Sequence, residues 1–293
     1  MHGEQHMRAT GRAYAAAVFV LCALTVAMAG CGRVTPKIRP TSPAPATAAP
    51  TSVVFATTDA VRDSGLADTL KVAFQEAYPQ FRLSIVGGSA SKVLALGKSG
   101  QAGVLLVDLP ANARALVASG EASQSKHAML GDFVVVGPSG DPASVRSAAT
   151  AAAAFKAIAA AKATFVTAGG DEALKADEAL LWKASGASSK GAWHLNASAG
   201  ADALQLASEK NGYTLVERAT WLAAKSGLAG SAVVLQGDKA LADPYDVVLM
   251  KGTANPAEAT VLVNWIGGPA GQEVIGAFGV VKFGERVFNA DAL

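Results

Sequence analysis

The sequence predicts an α/β protein of two lobes, each a mainly parallel sheet flanked by helices. Three observations lead there. Short apolar runs of strand length alternate with segments of helical apolar spacing, the pattern of successive βαβ units. The chain has 293 residues, and about 240 remain once an N-terminal export segment and a linker are set aside, enough for two lobes of about 100 to 150 residues each. Polar, glycine-bearing loops follow the first two strands, at 57–65 and 87–91, where open α/β sheets hold ligands.

Residues 1–30 read as a signal segment. Arg8 and Arg12 precede an apolar stretch from Ala15 to Ala27, and Met28-Ala29-Gly30-Cys31 follows. Small residues before a cysteine fit a lipoprotein signal peptidase, so cleavage before a lipidated Cys31 is expected. The stretch is short of the ~20 apolar residues of a spanning helix. Either Met1 or Met7 serves as the start. Cys22 would leave with the signal, so the mature chain keeps one cysteine and forms no internal disulfide. A thioether-linked lipid also removes a free thiol from an oxidising compartment. Residues 31–51 carry Pro36, Pro40, Pro43, Pro45 and Pro50 among Ala, Ser and Thr, an extended tether that cannot bury a core. The expected location is outside the cytoplasm, lipid-anchored to a bacterial membrane on its periplasmic or cell-surface side.

The folded part begins with an apolar strand at 52–56. A polar, turn-rich loop covers 57–65, and a helix follows from Leu66 to Tyr78 with Leu66, Leu70, Ala73 and Phe74 on one face. Strands are expected at 81–86, 103–107 and 133–136, with helices around 93–97 and 112–119. A second α/β series has an alanine-rich helix at 148–161, a strand at 163–166 and a loop at 167–170. Asp171 is an N-cap for a helix at 172–184. Another helix spans 201–210, strands fall at 233–235 and 247–250, and a last helical stretch holds Val261, Leu262, Trp265 and Ile266.

Composition excludes several functions. The formal charge is +2, and +1 after residues 1–30 are removed. Basic residues are scattered without interleaved aromatics, which argues against nucleic acid. Aromatics make up 6%, too few to favour a pocket that stacks on sugar rings. No enzyme is expected. His2 and His6 leave with the signal, while His127 and His194 form no ligand-spaced pair, so no metal or cofactor is expected either. No Gly-x-Ser-x-Gly elbow occurs. Gly97-Lys98-Ser99 lacks the earlier glycine of a phosphate loop, where Lys92 stands.

Several motifs carry a family resemblance over residues 53–292. Thr57-Thr58 is followed by Asp63-Ser64-Gly65-Leu66. Asp132 to Pro138 precedes Asp141-Pro142. Glu209-Lys210, Tyr213-Thr214-Leu215 and Arg218 come next, then Gln236-Gly237-Asp238 and Pro244-Tyr245. Trp265, Gly271-Gln272, Phe278-Gly279 and Phe283-Gly284 close the series. In this order and spacing the chain resembles the tungstate solute-binding proteins of ABC transporters, which have the type II periplasmic-binding-protein fold. The resemblance implies a lobe of 52–136 plus 246–293, a second lobe of 137–245, and a small solute held in the cleft between them. A monomer that delivers its solute to an ABC permease is expected.

By position, the resemblance places the ligand loops at Thr57, Thr58 and Asp59, at Ser89 and Ser91, at Thr167, Gly169 and Asp171, and at Gly200. These loops depart from the family's pattern. Ala168 stands where the family has an arginine, Glu172 where it has a serine, and Asp59 in a run of hydroxyls. A dry tetrahedral dianion needs many donors and no adjacent carboxylate, and a carboxylate about 4 Å away costs several kcal/mol at an effective dielectric near 20. Lys92 and Lys175 are the nearby cations that could replace the arginine. Three readings stay open: an oxyanion binder with a rebuilt pocket, a binder whose ligand has become cationic or neutral, and a surface lipoprotein that binds no solute and acts as an interaction or regulatory module.

Overall fold

The structure, a computed structural model, describes residues 51–292. The expected signal at 1–30, Cys31 and the tether up to residue 50 lie outside the described residues.

The chain opens with β1 (Thr51–Thr58), which buries Val53 and Phe55. It turns directly into α1 (Asp59–Ser64), a short polar helix in place of the expected loop. Gly65 ends α1 at φ 95°, a left-handed conformation that glycine adopts without steric cost. α2 (Leu66–Ala77) buries Leu66, Leu70 and Phe74, spaced four apart along one face. β2 (Phe81–Gly88) and α3 (Ala90–Lys98) follow, with Ser89 capping α3. All four residues of β3 (Val104–Val107) are buried, as expected of a strand covered on both faces. α4 (Pro110–Ala118) starts on a proline, whose missing N–H costs nothing in a first turn.

The next strand, β4 (Ala122–Pro138), has 17 residues. Phe133-Val134-Val135-Val136 predicts its end. Its first half gives no such signal, because the polar residues Gln124, Ser125 and Lys126 break the apolar run. The second series runs α5 (Ala151–Ala161), β5 (Phe165–Ala168), α6 (Glu172–Ser185), β6 (His194–Ala197), α7 (Gly200–Glu209), β7 (Tyr213–Glu217), α8 (Arg218–Ala224) and β8 (Ser231–Leu235). β9 (Ala242–Met250) returns to the first series, and α9 (Pro256–Ile266), α10 (Pro269–Ala277), α11 (Val280–Phe283) and β10 (Asn289–Ala290) complete the chain. None of the described helices is long and apolar enough to cross a membrane.

The strands lie in the order β2-β1-β3-β9-β4-β7-β5-β6, with β8 and β10 also paired to β4. β1 is parallel to β2 and β3, and β5 is parallel to β6 and β7. β4 and β9 run against their neighbours, so the sheet is mixed rather than mainly parallel. The reason is connectivity: these two strands carry the chain between the parallel sets. β4 pairs with β9 through Asp132 and with β7 from Phe133. In the first series, Phe55, Leu70, Phe74 and Trp265 pack in one core. In the second, Phe155, Phe165 and Trp182 pack in tilted and edge-to-face pairs with ring centroids 4.6 to 5.3 Å apart.

Candidate functional site

The carboxyl ends of the parallel strands face one cleft of about 460 Å³, where open α/β sheets present ligand groups. Thr58 ends β1, Ser89 follows β2, Asp108 follows β3, Asp171 follows β5, and Glu217 ends β7. Gly200 brings the start of α7 to the same place; a Cβ built there would lie 3.5 Å from Glu217 Oε2.

Asp108, Asp171 and Glu217 form the centre. One carboxylate oxygen from each lies within 4.8 Å of the others. Asp108 and Glu217 are buried, and Asp171 is half-buried. Asp171 uses Oδ1 to accept the Leu174 N–H at 3.0 Å, the N-cap expected of it. Glu217 Oε2 accepts from the Thr220 hydroxyl at 3.1 Å. Asp108 Oδ1 and Thr58 Oγ1 are buried without a hydrogen bond. Burial, followed by the charge of Asp171, pushes the Asp108 carboxyl up to about 7. Burial and Asp171 together hold Glu217 well above the usual carboxylate range. Asp243 is also held high, by burial and then by Asp108.

The other sequence-expected residues divide between this cleft and its surroundings. Thr57 and Thr58 are adjacent in a strand, so their side chains point to opposite faces. Thr58 borders the cleft, whereas the Thr57 hydroxyl donates to Leu106 O at 3.1 Å inside the sheet. Asp59 borders the cleft and pairs with Arg62 at 2.6 Å. Ser89 also borders it and lies 3.1 Å from the Ser91 hydroxyl. Ser91 in turn donates to Glu172 Oε1 at 2.9 Å, linking the starts of α3 and α6. Glu172, whose charge the sequence sets against a bound anion, is thus engaged by a hydroxyl. Gly169 serves the backbone, its N–H donating to Ala197 O at 2.7 Å.

Thr167 and the two candidate cations do not border the acidic cleft. Thr167 donates to Glu178 Oε1 at 2.7 Å and lies 2.6 Å from His194 Nε2, in a separate recess that also holds Lys175. Glu178 raises the His194 pKa there, against its partial burial. Lys92 turns back to donate to Gly87 O at 3.2 Å. The cation at the cleft is instead Arg62, a residue that no sequence pattern singles out. It is held by Asp59 and by Asp63, the latter through Nε at 2.7 Å and Nη2 at 3.1 Å. Among the described residues, five carboxylates therefore border the cleft (Asp59, Asp63, Asp108, Asp171 and Glu217) against one guanidinium already paired with two of them.

Sequence reasoning missed Asp108 and Glu217. Each is the polar residue that closes or follows a buried strand, Val104–Val107 for one and Tyr213–Glu217 for the other. The strand-end rule that locates Thr58 applies equally to them.

Comparison with known proteins fits this architecture. Residues 44–268 match the family model described as a PBP superfamily domain. The tungstate-binding protein TupA of Peptoclostridium acidaminophilum is 31% identical over 276 residues, covering 92% of this chain and 95% of TupA. The tungstate binding protein TupA from Desulfovibrio alaskensis G20 superposes with a TM-score of 0.72 at 31% identity, over 83% of this chain and 100% of that one. The tungstate ABC transporter structure from Geobacter sulfurreducens gives a TM-score of 0.72 at 30% identity, over 78% of this chain and 98% of that one. These relatives are binding proteins rather than enzymes. The chain belongs to the PBP superfamily, as a solute-binding protein similar to the tungstate binders of ABC transporters.

Proposed function

We propose that this chain is the extracytoplasmic solute-binding lipoprotein of an ABC importer, anchored through Cys31, and that its solute is cationic. The solute would sit in the cleft between a lobe of residues 52–136 plus 246–293 and a lobe of residues 137–245. One observation carries the choice of charge: five carboxylates border the cleft against a single arginine that is already paired. A dianion brought there would meet Asp108 and Glu217 at short range in a poorly solvated site, where each of them that ionises repels it by several kcal/mol. A cation would turn the same groups into partners. The tungstate-binding relatives favour an oxyanion instead, but that reading requires many donors and no adjacent carboxylate; the described lining brings five carboxylates, while Lys92 turns to Gly87 O and Lys175 lies in the separate recess.

The test is a thermal-shift panel on the full chain in detergent. Tungstate, molybdate, sulfate and phosphate form one arm, and inorganic and organic cations the other. A ligand at 100 times its dissociation constant adds about 2.7 kcal/mol to stability. Stabilisation by a cation and by none of the oxyanions is expected. Stabilisation by tungstate or another oxyanion overturns the cationic reading. Mass spectrometry of the mature N-terminal peptide checks the anchor: a diacylglyceryl group on Cys31 is expected, and an unmodified cysteine refutes it.

A further inference from the structure

The carboxylates of the cleft are arranged as well as numerous. Asp108, Asp171 and Glu217 each turn one carboxylate oxygen to a common centre, all within 4.8 Å of one another. Three points with that maximum spacing fall within a circle of radius at most ~2.8 Å, and a Ca²⁺–oxygen bond measures about 2.3–2.6 Å. A small inward adjustment would let all three oxygens touch one ion.

A second, independent observation points to a ligand. Thr58 Oγ1, on a residue only 4% exposed that borders the same cleft, has the buried Tyr245 hydroxyl as its neighbour, and neither oxygen completes a well-formed hydrogen bond. Buried hydroxyls are rarely left without a partner, and a metal ion takes hydroxyl oxygens as well as carboxylates. Asp108 Oδ1 is likewise unpartnered on a residue 6% exposed. Thr58 and the triad come from the ends of four strands or the loops just after them, so the sheet holds the donors in place rather than a flexible loop.

Resting on the reading of the solute as cationic, we infer that Asp108, Asp171 and Glu217, with Thr58, chelate a hard divalent cation of the Ca²⁺ or Mn²⁺ type. The donor set is all oxygen, and no histidine or cysteine borders the cleft among the described residues, which selects against Zn²⁺ and Cu²⁺. An ammonium spends its three donors on the three carboxylates and has none left for Thr58, whereas a hard divalent ion takes six or more oxygens and uses the fourth.

The experiment titrates the full chain in detergent, after chelator treatment, with Mn²⁺ alone and with Ca²⁺ alone. Electron paramagnetic resonance of free Mn²⁺ and calorimetry for Ca²⁺ read the binding. One ion per chain is expected, with Ca²⁺ and Mn²⁺ competing for it. Glu217→Gln and Asp108→Asn should each weaken it at least ~30-fold while circular dichroism stays native, and Asp68→Asn on the exposed face of α2 should leave it unchanged. Thr58→Val, which keeps the side-chain shape, should weaken it about 3- to 10-fold. Binding of an organic cation such as spermidine without metal binding overturns the chelate and leaves the cationic reading standing. Metal binding that survives both carboxylate substitutions also overturns the chelate. Stabilisation by tungstate with no metal binding overturns both readings.

Discussion

Asp108 offers the sharpest measurement, because one substitution at this residue should stabilise the protein. The carboxyl sits at the end of β3, buried, facing Asp171 ahead of α6, Asp177 and Glu172 on α6, Glu217 at the end of β7 and Asp243 on β9. Burial is the first cause of its raised pKa and the charge of Asp171 the second, and together they bring it from the ordinary 3.8 to about 7. Each pH unit between those two values corresponds to about 1.4 kcal/mol, so the folded protein carries a penalty of about 4 kcal/mol once Asp108 must ionise. Coulomb's law gives the same order for the repulsive part: two charges within 4.8 Å of each other at an effective dielectric near 20 repel by at least about 3 kcal/mol. Between the unfolded and folded pKa values, folding binds a proton at this group. The penalty is therefore absent below pH about 4, grows as pH rises towards 7, and is complete above it. Asp108→Asn keeps the shape and removes the charge. In chelator-treated protein at about pH 8 it should raise stability by about 4 kcal/mol. Unfolding of a folded part of about 240 residues carries an entropy near 0.5 kcal/mol per degree, so the melting temperature should rise by about 8 °C. At about pH 4 the two proteins should melt together. Differential scanning calorimetry across that range reads both limits. A variant no more stable at the alkaline limit, or equally stabilised at the acid one, would refute the account of a charge-strained cleft.

Other consequences follow from groups outside the triad. Asp238 accepts the Ala240 N–H at 2.9 Å and the Ala151 N–H at 2.6 Å, and these donors lower its pKa. Asp238→Asn should therefore cost about 1 kcal/mol near neutral pH, and the cost should vanish as pH falls through the lowered pKa, seen in urea midpoints from about pH 7 to 3. Arg218 grips Asp132 through Nε at 2.7 Å and Nη2 at 2.6 Å, and also reaches Gln236 and Glu285. Arg218→Met should cost about 2–3 kcal/mol by denaturant unfolding because it strands a half-buried carboxylate, and Asp132→Leu in the same chain should recover part of that loss. Ser91→Ala removes the hydroxyl bond to Glu172 and leaves the longer one from the Ser91 N–H at 3.4 Å. It should leave stability within about 1 kcal/mol and quicken ligand release several-fold in stopped-flow measurements, because this bond ties together the two helix starts beside the cleft.

Strands at which every residue is buried were legible in the sequence, because an apolar run needs no partner to be recognised. Val104 to Val107 on β3 and Phe133 to Val136 on β4 are of this kind. Segments whose identity depends on what they pair with were not. The first half of β4 sets the polar Gln124, Ser125 and Lys126 between buried Ala122 and Ala128, and becomes a strand by bonding to β9. His194–Ala197 is a half-exposed edge strand recruited by β5. Asp59 to Ser64 is too short and too polar for a periodic signal, and its helix is closed by Gly65. The candidate site divides in the same way. Thr58 and Ser89 fall in the expected loops after strands, which are ligand positions whatever the neighbours are, whereas Asp171 and Gly200 are placed by the family resemblance. Which of two adjacent threonines faces the cleft depends on the register of β1 against β2 and β3, and that register turns Thr57 inwards.

The encounter of Asp108 with Glu217 was illegible for a stronger reason. The two residues are far apart in sequence, and each alone is an ordinary polar strand end. Only the strand order brings β3 and β7 to the same cleft, with β9 and β4 between them. That order is also what allows the chemistry to change while the scaffold persists. Strand ends are held by the ladder behind them, so replacing a side chain there alters what the cleft attracts without altering the sheet. The same tolerance explains how a chain 31% identical to a tungstate-binding protein over nearly its whole length can present carboxylates at its cleft. Carboxylates buried side by side with no cation between them would destabilise any fold that gained nothing from them. Their convergence at the ligand-facing end of the sheet, rather than at scattered points in the core, therefore argues for a bound cation that offsets their cost.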